Sequence, residues 1–536
     1  MTVAALSPAR SHAAGNPWLV AAVVVVPTFM EVLDTTIAVV ALRYIVGGLS
    51  ATVNDGEWVL TSYLAANAII LPITGWLSAH LGRRNYFLAS IAIFTLSSLL
   101  CGMAGSLGQL ILFRVIQGLA GGGLQPSSQG VLLDAFPPEK QGIAMTLFGF
   151  AALIAPVVGP TLGGWITDSY SWRWVFLINV PVGLLALAGC YALLRDPDYL
   201  VTQRTELRKQ PFHFDSIGLS LLVIVMVCWE VMLSKGQEWD WLGDPFWRVQ
   251  TLAIFFTVGL VGLIFWELRH RNPVVNFRPL VERNFAACCI IIFCAYLVLY
   301  AASTSLPGLL QSLFGYDALS AGLVMSPGGL FAVLAMPIVG RLIGRGTDAR
   351  WLIAAGLLIM TAGNYWMSQL NLDISPGQAV WPRVLVVAGL AVCFAPVNVA
   401  AYLYTPMALR GAAIGLLSLL RNEGGSVGVS LAQTFQERRD QFHTLRLGEY
   451  LDPFNAAAKA FLTQAQSLFL QQTADPVALQ QLAWQQLENV RQQQATALAY
   501  FDCFWMVAML TFAVAFLVLV MKRSVAEKGA HMAQSE

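Results

Sequence analysis

The sequence predicts an all-α polytopic membrane protein with 14 transmembrane helices, arranged as 6+2+6, and with both termini in the cytoplasm. Three observations lead to this fold class. Hydrophobic residues make up 57% of the 536 residues and charged residues only 11%, whereas a soluble domain carries about 25% charged residues. The apolar residues are grouped in runs that reach the roughly 20 residues needed to cross a bilayer. The lysines and arginines lie mostly on one side of these runs.

Fourteen apolar runs follow one another along the chain with mostly short connections. They cover residues 18–42, 57–79, 86–106, 109–133, 142–167, 174–194, 215–234, 249–268, 285–313, 318–340, 351–369, 384–405, 411–434 and 499–521. The first run is too long for a cleavable signal peptide. The resulting units are a cytoplasmic N-terminus (1–17), an N-terminal six-helix bundle (18–194), two linking helices (215–268), a C-terminal six-helix bundle (285–521) and a cytoplasmic tail (522–536).

The distribution of positive charge sets the orientation. Outside the spans and the long segment 435–498, 19 lysines and arginines fall on the side of the N-terminus. Only five fall on the other side, namely Arg43, Arg173, Lys235, Arg248 and Arg383. This bias predicts a multi-pass protein of the bacterial inner membrane with both termini inside. The net charge of +1 argues against a nucleic-acid partner.

The segment 435–498 is the one long connection, and it is predicted to be a periplasmic helical loop within the C-terminal bundle. One helical pattern covers 456–473, and a second covers 476–497 with Asp475 as N-cap and Pro476 as first helical residue. The second pattern has an apolar stripe, formed by Leu479, Leu482, Leu487 and Val490. Two interpretations stay open: a hairpin that packs on itself, and a docking surface for a periplasmic partner.

Several site classes are absent from the sequence. There is no Gly-Lys dipeptide, which excludes a P-loop, and an HExxH motif is missing too. The eight cysteines lie in apolar runs and form no CxxC pair, so no metal site is expected. The chain is therefore predicted not to be an enzyme and to need no cofactor. Transport across the membrane would have to use an ion gradient or simple diffusion.

Acidic and basic residues at membrane depth are the strongest candidates for function, because burying a charge in the bilayer is costly. Glu31 and Asp34 lie three apart in the first span and share one helix face. A carboxyl group that gains and loses a proton is what proton coupling requires. Arg114 in the fourth span cannot lose its charge, and Asp34 is its natural partner. The alternative is a permanent structural ion pair.

The thirteenth span carries a second group of charges. Arg421 and Glu423 are separated by one residue, so they point to different faces and each needs its own partner. Both are candidates for proton coupling. Glu230, near the end of the seventh span, is interpreted as an interfacial residue whose carboxyl group reaches toward water.

Glycine patterns predict sites of close helix packing. Gly118 and Gly122 form one GxxxG pair, and Gly159 and Gly163 form another. The second pair lies in a stretch that also contains Pro156, Pro160 and Gly164, and this combination of prolines with a glycine face is more specific than GxxxG alone.

Together these motifs resemble the major facilitator superfamily, and within it the 14-span drug:proton antiporters. The stretch from Gly75 to Arg84 resembles the cytoplasmic signature of the superfamily, and the other matching stretches are Leu33–Ile37, the region of Arg114, Trp172–Trp174, Ile178–Pro181 and Gly159–Pro160. Ala79 and His80 depart from the signature, which normally carries an acid and an arginine there. The charge relay attributed to that loop is therefore not expected in its usual form.

The resemblance implies export of hydrophobic, structurally varied compounds in exchange for protons, with the proton gradient as energy source. It implies a periplasmic adaptor of the EmrA type and an outer-membrane channel of the TolC type. Substrate would bind between the two bundles, and the candidate lining residues are Phe29, Met30, Trp58, Asn67, Gln125, Tyr296, Tyr300, Phe394, Asn398 and Tyr402. The implied conformational motifs are Gly75, Gly82, Arg83, Arg84, Gly159, Pro160, Gly163 and Gly164.

Other functions fit the same residues less well. A dedicated metabolite exporter or a nutrient importer would have the same fold. A polytopic membrane enzyme is the remote alternative, because it would need a cluster of His, Asp or Glu residues at one membrane face, and the six histidines are scattered.

Overall fold

A computed structural model describes residues 16–137, 140–209, 215–270, 273–316, 318–406, 409–451, 455–471 and 475–524. These residues form helices and no strands. The helices are α1 (Pro17–Gly48), α2 (Val53–Gly56), α3 (Trp58–Leu81), α4 (Arg83–Met103), α5 (Leu107–Gly121), α6 (Leu124–Ala135), α7 (Gln141–Ser169), α8 (Trp174–Leu177), α9 (Asn179–Leu193), α10 (Asp198–Lys209), α11 (Ser216–Lys235), α12 (Arg248–Arg269), α13 (Arg283–Leu313), α14 (Ala318–Gly344), α15 (Ala349–Ser368), α16 (Pro376–Leu403), α17 (Arg410–Gly448), α18 (Ala456–Phe469) and α19 (Pro476–Ala515).

Every predicted span coincides with a helix or a helix pair, so the all-helical membrane fold is confirmed. Eleven helices in the described residues are long and apolar enough to cross a membrane, or twelve if the bent pair within α7 is one span. The helices α15 and α17 cover two further predicted spans but do not meet this measure of apolar length. The count of 14 spans and the cytoplasmic location of both termini stay predictions. Most of the predicted N-terminal segment and tail lies outside the described residues.

Two bundles meet along a shared interface. Helix α7 of the first bundle packs against α14 and α16 of the second, and α3 packs against α17. The linking helices α11 and α12 pack against each other, and α11 also contacts α3 and α17. Helix α12 exposes a broad apolar face, with Ile254, Phe255 and Val258 among its exposed residues. The linking pair therefore lies beside the interface of the bundles, with α11 on the inside.

The segment predicted as a long loop is largely a continuation of the membrane helices. Helix α17 runs on to Gly448, and α19 is one continuous helix that joins the second predicted loop helix to the last span. Helix α18 packs against α19, where Leu479, Ala483 and Leu487 are buried. Two of the four stripe residues, Leu479 and Leu487, thus pack within this helical projection (residues 435–498), and its role as a docking surface stays a prediction.

Candidate functional site

Asp34 is the centre of a buried polar cluster formed by α1, α5 and α9. One carboxylate oxygen accepts a hydrogen bond from Arg114 Nη1 at 2.6 Å, within a salt bridge whose two side chains have no exposed surface. The other oxygen accepts hydrogen bonds from Gln117 Nε2 at 3.1 Å and Asn179 Nδ2 at 2.6 Å. The structure thus brings the two predicted partners into contact and adds two amide donors that complete the solvation of the carboxylate.

Arg114 is held by several elements besides α1. Its Nε donates to the carbonyl oxygen of Val59 at 3.1 Å, and its Nη1 also donates to Gln117 Oε1 at 3.0 Å. The guanidinium carbon lies 4.1 Å from the centre of the Tyr63 ring, a favourable position for a desolvated cation. Its Nη2 has no hydrogen-bond partner, although Arg114 lines the adjacent cavity.

Glu31 belongs to a second network that crosses from one bundle to the other. Its carboxylate accepts hydrogen bonds from Asn67 Nδ2 at 3.0 Å, from the Tyr63 hydroxyl at 3.3 Å and from Gln125 Nε2. The side-chain oxygen of Gln125 accepts a hydrogen bond from Arg421 Nη2 at 2.5 Å. Gln125 therefore connects an acid of the first bundle to a cation of the second.

Arg421 and Glu423 point to different partners, as their spacing predicts. Arg421 faces the first bundle, whereas the carboxyl group of Glu423 lies beside that of Glu230 on the linking helix α11. The interfacial interpretation of Glu230 is wrong, because its side chain is only 2% exposed and accepts a hydrogen bond from Ser426 Oγ at 3.1 Å. Packing of α11 against α17 buries Glu230 inside the protein, where it lines the cavity.

Arg383 is another residue that the sequence misplaces. The sequence predicts a position in a short outer loop, but Arg383 lies in α16 and is only 1% exposed. Its Nη2 donates to Ser303 Oγ at 2.7 Å, whereas Nε and Nη1 have no hydrogen-bond partner. Helix α16 begins well before the predicted span at 384, and this early start buries the arginine.

A cavity of about 730 Å³ lies between the two bundles and reaches both charge networks. It is lined by Glu31, Arg114 and Arg421, and by four of the predicted substrate residues, Asn67, Gln125, Tyr296 and Tyr300. The lining continues to Tyr44, Asp168 and Gln311, which lie near the C-terminal ends of their helices. All three ends are on the side opposite the start of α1, so the cavity opens on that side.

Six predicted substrate residues do not line the cavity in this conformation: Phe29, Met30, Trp58, Phe394, Asn398 and Tyr402. Phe394 and Asn398 close its inner end. The rings of Phe394 and Phe148 have their centres 6.1 Å apart, and Gln129 Nε2 donates to Asn398 Oδ1 at 2.5 Å. Met30 is buried in the core of the bundle.

Glycines let the helices approach closely at several contacts. A Cβ atom at Gly75 would lie 2.8 Å from the carbonyl carbon of Gly411, which shows how tightly α3 meets α17. A Cβ at Gly122 would lie 2.6 Å from the carbonyl oxygen of Asn67. Gly159 and Gly163 face Thr36 and Ile37 of α1. Gly164 has open space instead and lines the cavity, and the side chain of Pro160 lies outside the described residues.

The loop between α3 and α4 makes charged contacts despite its departures from the signature. Gly82 has φ of 89°, a backbone conformation that favours glycine. Arg83 forms a salt bridge with Asp134 and donates to the carbonyl oxygen of Gly130 at 3.1 Å. The backbone N–H of Arg84 donates to Asp196 Oδ1 at 2.7 Å. These contacts tie the loop to α6 and to the segment after α9.

Comparison with known proteins agrees with this architecture. Residues 24–429 match the family model of the Major Facilitator Superfamily. The chain is 36% identical to the multidrug export protein EmrB of Escherichia coli (strain K12) over 486 residues, 90% of each chain. It is also 36% identical to the fatty acid resistance protein FarB of Neisseria gonorrhoeae over 428 residues, 80% of this chain and 82% of FarB. The fold is similar to the human organic anion transporter MFSD10 (TM-score 0.59, 14% identity, 94% of this chain and 100% of that chain).

Proposed function

Because the chain belongs to the Major Facilitator Superfamily, we propose that this multi-pass inner-membrane protein exports hydrophobic drugs and other toxic compounds in exchange for protons. The observation that carries the proposal is the Asp34–Arg114 pair beside a cavity open to one side. The similarity to the EmrB multidrug export protein supports drug export as the cargo class.

The proton would act on Asp34. In the present conformation its carboxylate accepts hydrogen bonds from one cation and two amides. Protonation would remove the attraction to Arg114 and leave a buried cation without its counter-ion, which costs about 3–5 kcal/mol when one partner of a buried pair is lost. That cost favours a conformation in which Arg114 finds water or another partner. Proton binding would thereby bias the conformational equilibrium.

Substrate would bind in the cavity and change the hydrogen bonds that link Glu31 to Gln125 and Arg421. The cavity wall combines aromatic rings, from Tyr296 and Tyr300, with the amide of Gln125 and aliphatic side chains. Such a wall suits ligands of different shapes, because flexible and aromatic side chains repack around them. A ligand between the bundles would compete with the hydrogen bond from Arg421 to Gln125 and so release Glu31 from its present partners.

Partner proteins would extend the export path beyond the membrane. We propose a periplasmic adaptor of the EmrA type and an outer-membrane channel of the TolC type. The helical projection 435–498 supports this proposal, because it rises beyond the predicted membrane span and exposes large apolar side chains such as Leu445, Leu468 and Trp484.

A resistance assay tests the proposal. An efflux-deficient strain would express the chain with and without its adaptor, and growth would be measured on a panel of acidic, neutral and cationic drugs. We expect raised tolerance to several unrelated compounds, abolished by a proton ionophore. Tolerance to a single metabolite would instead support a dedicated exporter, and improved growth on a limiting nutrient would support an importer.

A further inference from the structure

Two acidic side chains outside the Asp34 site face each other between the linking helix α11 and the second bundle. Glu230 is 2% exposed and Glu423 is 5% exposed. Glu230 accepts its hydrogen bond from Ser426 and lines the cavity, whereas neither oxygen of Glu423 makes a hydrogen bond. The two carboxyl groups lie side by side, next to the indole of Trp229.

The surrounding charges are engaged elsewhere. On α11, Lys235 donates to Glu57 at 2.5 Å and to Glu238 at 2.7 Å. On α17, Arg421 donates to Gln125 of the first bundle. On α12, Glu267 accepts a hydrogen bond from the backbone N–H of Val275. The titratable groups near α11 that line the cavity are Tyr296 and Tyr300 on α13 and Glu57, which precedes α3. Tyr63 on α3 contacts Glu31 and Arg114 instead. Among the described residues, no lysine or arginine is hydrogen-bonded to either carboxyl group.

Two buried carboxylates in contact cannot both stay ionised, because repulsion and desolvation both disfavour the second charge. A shared proton removes the repulsion and supplies the hydrogen-bond donor that Glu423 lacks. A proton is therefore the smallest ligand that completes this pair. Loss of that proton would push α11 away from α17.

We propose that Glu230 and Glu423 form a second proton-binding site, through which the linking helix α11 takes part in energy coupling. The inference rests on the proposed proton-coupled export and deepens it. Hydronium from the water on the open side transfers its proton to a carboxylate oxygen of the pair, and a water molecule is released. Its path is short, since Glu230 lines the open cavity.

An adjoining recess supports that path. It has a volume of about 450 Å³ and shares Glu57, Ser234 and Gln433 with the main cavity. Its remaining acidic lining residues are Glu238, Glu437 and Asp440. Carboxylates around the mouth of a cavity raise the local concentration of cations, including hydronium.

The test uses the purified full-length chain and the isosteric double variant Glu230→Gln/Glu423→Gln. The difference between the infrared spectra of wild type and the double variant at neutral pH should contain a protonated-carboxyl band that belongs to Glu230 and Glu423, since the other buried acids contribute equally to both spectra. Glu267→Gln is the matched control, since Glu267 is equally buried but does not line the cavity, and it should keep the band. If the double variant does not fold, Glu230→Gln alone is measured, and its band should shift or disappear.

The second measurement is the number of protons exchanged for each ethidium molecule in proteoliposomes. It is obtained from the pH gradient at which net ethidium movement stops for a known ethidium gradient. We expect the double variant to exchange one proton fewer than wild type, with Glu267→Gln unchanged. An unchanged band overturns the inference, and so does a lost band with an unchanged proton number. Asp34→Asn tests the proposed role of Asp34 separately: proton-coupled export that survives this variant would overturn that role and not the second site. Ethidium export by wild type without any proton flux would overturn the proposed function itself.

Discussion

Neutralising Asp34 should separate the structural contribution of the buried ion pair from its role in export. Asp34→Asn keeps the shape of the side chain but removes the charge that Arg114 Nη1 contacts at 2.6 Å. In wild type the side-chain amides of Gln117 and Asn179 donate hydrogen bonds to a carboxylate oxygen of Asp34, and in the variant the NH2 group of the asparagine could face these donors instead. Because Arg114 would be left buried without its counter-ion, we expect a loss of about 3–5 kcal/mol of stability.

A second substitution distinguishes instability from loss of coupling. In Asp34→Asn/Arg114→Met both charges are gone, and replacing a complete buried pair by neutral residues is often neutral or stabilising by about 1–4 kcal/mol. The double variant should therefore regain most of the stability that Asp34→Asn loses. It should not regain export, since no group remains at this position to carry the proton.

The assay combines thermal unfolding in detergent with drug export driven by a pH gradient in membrane vesicles. Recovery of both stability and export in the double variant would refute the coupling role and leave Asp34 as a structural residue. Wild-type export by Asp34→Asn alone would refute it as well. A double variant that stays unstable would show that the pair has a further structural partner.

Three further predictions follow from other parts of the structure. Gly75→Ala should force α3 away from α17 and so prevent closure of the inner side, which is measured by the accessibility of cysteines introduced there. The control is Gly411→Ala, whose Cβ would lie 3.6 Å from its nearest neighbour, and in this variant the inner side should close normally. Hydrogen bonds from Arg248 hold the pKa of Asp244, which precedes α12, well below its ordinary value. A carboxyl group whose pKa is lowered by folding stabilises the protein at pH values above its pKa in the unfolded chain. This stabilisation is lost as the pH falls through the pKa of the folded state. Asp244→Asn should therefore lower the melting temperature at all pH values above about 4 and match wild type only in stronger acid. Leu468→Asp at the tip of the helical projection should reduce adaptor pull-down and cellular resistance together while leaving export in proteoliposomes unchanged; retained pull-down would exclude this surface as the contact.

The sequence predicts the membrane fold and the contact of Asp34 with Arg114 for one physical reason. A charge at membrane depth must find a partner, and few partners are available in the first bundle. The same rule could not assign Glu230, because a position near the end of a span does not reveal whether a protein or a lipid headgroup faces it. Only the packing of α11 against α17 shows the answer.

Two other differences have similar causes. Hydropathy locates the part of a helix that crosses lipid but not its continuation into water, so α17 and α19 are longer than the predicted spans. Phe394 and Asn398 were predicted to contact substrate, yet they close the inner end of the cavity. The sequence contains no information on which side of an alternating transporter is open, and the lining of its cavity depends on that choice.

Opposite movement of protons and drug is the central claim, and one measurement tests it most directly. The purified chain would be reconstituted in proteoliposomes with a pH-sensitive dye inside, and ethidium, a planar aromatic cation suited to the tyrosine-lined and acidic cavity, would be added outside. We predict that ethidium movement drives protons in the opposite direction, and that Asp34→Asn abolishes this proton flux. Ethidium movement at the same rate without any proton flux would contradict the account.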